Sequence, residues 1–71
     1  MNYEDDVIFG MEAYYQSYRA RFTHKGVEDA IRATRNWAEG LIKAFRGGFI
    51  EATTLKKIER RLNELRNAQV K

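Results

Sequence analysis

The 71-residue chain contains no cysteine, no proline and only one histidine. Without a thiol it makes no disulfide, no thiolate zinc site and no cysteine nucleophile. The absence of proline removes the strongest interruption of helical hydrogen bonding, which suits a chain that is mostly helix. Uninterrupted apolar runs fall well short of the roughly 20 residues that span a bilayer. Cations are missing from the first segment: residues 1–12 hold Glu4, Asp5, Asp6 and Glu12 but neither Lys nor Arg, the reverse of a signal or transit peptide. The expectation is a cytoplasmic protein with no membrane partner.

Recognisable reaction chemistry is equally sparse. His24 sits beside Lys25 in a predicted connector, with no local serine or carboxylate arrangement that would make it a base. Gly47-Gly48 lacks the lysine and hydroxyl residue that follow the glycines of a phosphate-binding loop. Asp5 and Glu12 share a helix face two turns apart and do not obviously converge on a hard cation. These features point away from an enzyme, a cofactor, a metal site or a small-molecule substrate.

What the chain has in quantity is charge and helical periodicity. After residue 12, thirteen Lys and Arg stand against six acids, so an acidic start precedes a segment of net +7. Val27, Ile31, Thr34, Ala38, Leu41 and Phe45 alternate steps of four and three, and Ala30, Ala33, Trp37, Gly40 and Ala44 form a second row beside them. A helix apolar over so much of its circumference needs neighbours on two sides. Glu28, Arg32, Arg35, Glu39, Lys43 and Arg46 make the polar stripe, with Glu28–Arg32 and Glu39–Lys43 spaced for i,i+4 pairing.

Helices are predicted over 3–22, 27–46 and 52–68. Asn2 is a cap candidate for the first, whose core face holds Tyr3, Val7, Ile8, Met11, Tyr14, Tyr15, Tyr18 and Phe22. Gly26 or Thr23 can cap the second, and Gly47-Gly48 ends it. Ile50 and Leu55 have the spacing of a hydrophobic staple if Glu51 caps the third helix, with Thr53 and Thr54 as competing caps. Leu55, Ile58, Leu62, Leu65 and Gln69 give that helix a narrow seam. The fold class is therefore all-α: one small three-helix domain over 1–71, a helix followed by an αα-hairpin. Its apolar residues exceed what three short helices easily cover, which favours a helical homodimer.

Two surfaces carry functional expectations. Phe9 points opposite the core stripe of its helix, flanked by Asp5, Glu12 and Gln16, and such an aromatic within an acidic face suits a protein interface. The leading expectation is a non-enzymatic interaction module that binds a protein partner or itself. The size fits a compact inhibitor or regulator of the kind phages and mobile elements carry, one that occupies a surface of a host macromolecular machine. The alternative uses Lys56, Lys57, Arg60 and Arg61, which avoid the Leu/Ile seam of the third helix and project outward, to contact the phosphates of DNA or RNA.

Overall fold

The computed structural model describes residues 3–68, which form three helices: α1 (Tyr3–Arg21), α2 (Val27–Phe45) and α3 (Ala52–Ala68). Among the described residues there is no strand. The all-α class and the element order agree with the expectation, and each boundary falls within one residue of it. The Asn2 cap and the Gln69 end of the third seam lie outside the described residues.

The helix ends follow from local chemistry. Glu4, Asp5 and Asp6 occupy the first turn of α1 and Arg19 and Arg21 its last, each sign facing the complementary end of the helix dipole. Gly26 is the N-cap of α2, without a side-chain cap bond. At the other end of α2 the Gly48 N–H donates to the Lys43 carbonyl at 2.6 Å while Gly47 and Gly48 sit at φ 73° and 93°. That is the Schellman pattern, and its left-handed backbone is why glycines occur there.

Glu51 precedes α3, and its carbonyl accepts the Leu55 N–H at 3.0 Å, but its carboxylate bonds Arg46 at 2.5 Å instead of capping the helix. Thr53 and Thr54 lie inside α3 and are not caps. Thr54 is buried and donates its hydroxyl to Glu4 on α1.

Val7, Met11 and Tyr15 of α1, Ala30, Ile31, Ala38 and Ile42 of α2, and Ile58, Leu62 and Leu65 of α3 form one core. Thr34 is buried with them, its hydroxyl satisfied by the Ala30 carbonyl at 2.7 Å. Tyr3 meets Phe45 with ring centroids 4.7 Å apart, and Tyr14 stacks on Trp37 at 5.0 Å, so α1 and α2 run antiparallel. Between those contacts Gly10 lets the Trp37 ring approach so closely that a Cβ would stand 3.0 Å from it.

The structure corrects the two seams of α2. Ile42, absent from both, is buried, whereas Leu41 is 37% and Phe45 63% exposed. Ile42, four residues on from Ala38, continues the buried run Ile31, Thr34, Ala38, and Leu41 stands about 100° from it around the helix. Trp37 is half-buried, packed on α1 along one side only. In the second row Gly40 and Ala44 are exposed. The second row is thus covered in its first half, where Ala30 is in the core and Trp37 packs on α1, and is open only at Gly40 and Ala44.

The α2 polar stripe also differs. Glu28 accepts from Arg66 of α3 at 2.8 Å, not from Arg32, which pairs with Asp29 at 3.0 Å. Glu39 and Lys43 form no ion pair with each other. Arg35 donates to Glu59 at 2.6 Å, so the stripe lies along the α3 flank and its long side chains reach across. The crossing pairs are substantially exposed and add little stability individually.

Candidate interaction surfaces

Asp5, Phe9, Glu12 and Gln16 are all exposed on α1. Their spacing of four, three and four residues sets them along one stripe of the helix. Phe9, at 77%, is the most exposed of the large hydrophobic side chains. Ala13 and Ala20 are exposed as well, so the surface around the ring is low on its C-terminal side and acidic on its N-terminal side, where Asp5 and Asp6 lie. Glu12 forms the edge nearest α3, its carboxylate accepting from Arg61 at 2.6 Å.

The four clustered cations of α3, Lys56, Lys57, Arg60 and Arg61, divide into two pairs. Lys57 donates to Glu4 at 2.7 Å, and Arg61 bonds both Glu12 and, at 2.8 Å, Glu64. Lys56 and Arg60 are exposed and form no ion pair among the described residues. The Lys57 ammonium, with help from the Thr54 hydroxyl, holds the Glu4 carboxyl below its ordinary pKa, and the same contact raises Lys57. Glu64, then Glu12, raise Arg61.

The two candidate faces thus adjoin. A shallow depression of about 200 Å³ runs between α1 and α3, lined by Asp5, Ile8, Lys57, Arg60, Arg61 and Glu64. Its signs are mixed, with Asp5 and Glu64 facing three cations. A broader, open depression follows the outer side of α3 past Lys56, Glu59, Arg60 and Glu64, where acids again alternate with bases. Neither surface presents the unbroken positive stripe that tracks a phosphate backbone.

His24 is exposed in the α1–α2 connection, its ring edge-on to Phe22 with centroids 6.3 Å apart. Lys25 and Arg21 lie over the same Phe22 ring, at 5.7 and 5.8 Å. Among the described residues no three His, Asp or Glu side chains converge, and no helix is long and apolar enough to cross a membrane.

Sequence periodicity placed Leu41 and Phe45 in the core and took no account of Phe49, which is 57% exposed beyond the glycine turn. The signal that could have found this surface is the Gly-Gly pair itself, which ends α2 before Phe49. No protein-family model matches the chain, and neither curated proteins nor solved structures gave a match.

Proposed function

We propose that the chain is a non-enzymatic protein-interaction module whose contact surface is the outer face of α1, with Phe9 as the anchor and Asp5, Glu12 and Gln16 around it. The observation that carries this reading is the 77% exposure of Phe9 on a helix whose core face is made by Val7, Met11 and Tyr15. An exposed aromatic within a polar ring has the composition of an interface hot spot. The acidic rim selects a partner with a basic surface around an apolar pocket. A small inhibitor or regulator that occupies a surface of a larger machine works in this way, and needs no catalytic group.

The nucleic-acid reading draws on Lys56 and Arg60 alone, since Lys57 and Arg61 are engaged by carboxylates of α1. Two unneutralised cations supply too small a counterion release for tight binding.

The test is affinity capture from the native host with wild type and Phe9→Ala, each with and without nuclease. A nuclease-resistant protein retained by wild type and lost with Phe9→Ala, at a cost of roughly 1–3 kcal/mol in affinity, is the expected outcome. Capture that disappears with nuclease and ignores Phe9 would reject the reading.

A further inference from the structure

The outer face of α1 extends well beyond Phe9. Phe9, Ala13, Gln16 and Ala20 are all exposed and lie within about 60° of one another around the helix, a stripe roughly 16 Å long that the described residues leave open. Charge is divided along it. The acids of α1, Glu4, Asp5, Asp6 and Glu12, all precede Ala13, and its cations, Arg19 and Arg21, stand in the last turn. His24 and Lys25 follow in the connection, so residues 13–27 hold no carboxylate. By helical geometry Asp6 and Arg21 lie on the edge of the stripe toward α2, while Glu12, bonded to Arg61, and Arg19 lie on the edge toward α3. Asp6 and Arg21 are exposed and form no ion pair among the described residues.

We infer that this face of α1 packs antiparallel against the same face of a second copy of the chain. The inference rests on the Phe9 reading and names the partner. In a two-fold pairing residue i contacts j and j contacts i, and an axis level with the step from Tyr14 to Tyr15 relates the two halves of the stripe. Phe9 then lies over the partner's Ala20 and Ala13 beside the partner's Gln16, so the large ring at one end of each stripe meets the small side chain at the other. The same rotation sets the acidic half of each helix on the basic half of its copy. Asp6 comes within about one helical turn of the partner's Arg21 on one edge, and Glu12 as close to the partner's Arg19 on the other, each pair occurring twice. The opposed helix dipoles favour the same orientation. A parallel pairing would instead set Asp5 and Asp6 against their own copies, where like charges repel. The basic surface that the Phe9 face calls for is therefore present on the chain itself.

Sedimentation equilibrium on the intact chain from about 1 µM to about 1 mM, a span matched to ordinary dimer affinities, tests it. Wild type and the Lys56→Glu/Arg60→Glu variant are expected to reach dimer mass, and Phe9→Ala is expected to raise the dissociation constant at least about 10-fold, as for an anchoring aromatic. Asp6→Arg and Arg21→Asp test the orientation. Each variant alone sets like charges against its copy and should also lose at least about 10-fold in affinity, while circular dichroism shows it helical. Mixed in equal amounts the two restore both contacts, and the mixture should dimerise within about threefold of wild type. Wild type at monomer mass throughout, a dimer indifferent to Phe9→Ala or lost with Lys56→Glu/Arg60→Glu, or a mixture no tighter than its components would overturn the inference. A monomeric wild type whose capture of a host protein still depends on Phe9 would overturn it while leaving the Phe9 reading standing; that reading falls separately, if capture ignores Phe9→Ala.

Discussion

Ile42 and Leu41 are neighbours in sequence with opposite surroundings, one enclosed by the core and the other on the surface. Truncating Ile42 to Ala should cost about 2–5 kcal/mol, because the space it leaves is walled by α1 and α3. Leu41→Ala should cost the isolated chain less than about 1 kcal/mol, since its side chain is already partly in water. Urea unfolding of both variants, at concentrations low enough to keep the chain monomeric, checks the pair of values. If Leu41 proves the costlier, the core face of α2 is misassigned. Gly10 is the complementary case. Gly10→Val should destabilise the fold by roughly 1–3 kcal/mol through overpacking against Trp37, and near-UV circular dichroism should show the indole displaced. Periodicity identified the core residues of α1 and α3 because one clear apolar stripe existed on each. It failed on α2, where two apolar rows left the choice to small angular differences that only packing resolves.

At the scale of elements, helix ends were legible because they are local. Charge at the termini, the Gly-Gly stop and the connector residues act within a few positions of the chain. The ties between helices were not legible. Glu4 reads in sequence as a first-turn carboxylate, yet in the fold it joins Lys57 and Thr54 more than fifty residues away. Its side chain is 14% exposed, so this tie is better shielded than the surface pairs. Because the native pKa of Glu4 is lowered, its contribution is complete above the ordinary glutamate value of about 4.3. That contribution is lost as pH falls through the lowered native value. Chemical denaturation followed from pH 7 down to pH 2 should therefore show stability dropping in the acid range, and Glu4→Gln should reduce that drop. Glu4→Ala, which also leaves the buried Thr54 hydroxyl without this acceptor, should cost about 1–3 kcal/mol at neutral pH. An acid profile identical in wild type and Glu4→Gln would remove the α1–α3 tie from the explanation of stability.

Across the whole molecule, the acidic beginning of the chain and the basic remainder meet in space, as carboxylates of α1 engage half of the cations that sequence spacing grouped on α3. This changes how the α3 surface is to be probed. Lys57→Glu and Arg61→Glu reverse groups that also hold the fold, so loss of binding in that variant mixes two effects. Lys56→Glu with Arg60→Glu changes the unpaired cations and should leave the melting temperature within a few degrees of wild type. The exposure of Phe9 followed from helical geometry alone, but the charge around it depends on the assembled surface, where Glu12 is joined to Arg61 of α3. The most direct measurement is quantitative capture from the native host by wild type, Phe9→Ala and the Lys56→Glu/Arg60→Glu double variant, after nuclease treatment. The expected result is one protein retained by wild type and the double variant and lost with Phe9→Ala; retention with Phe9→Ala and loss with the double variant would contradict an interface built on α1.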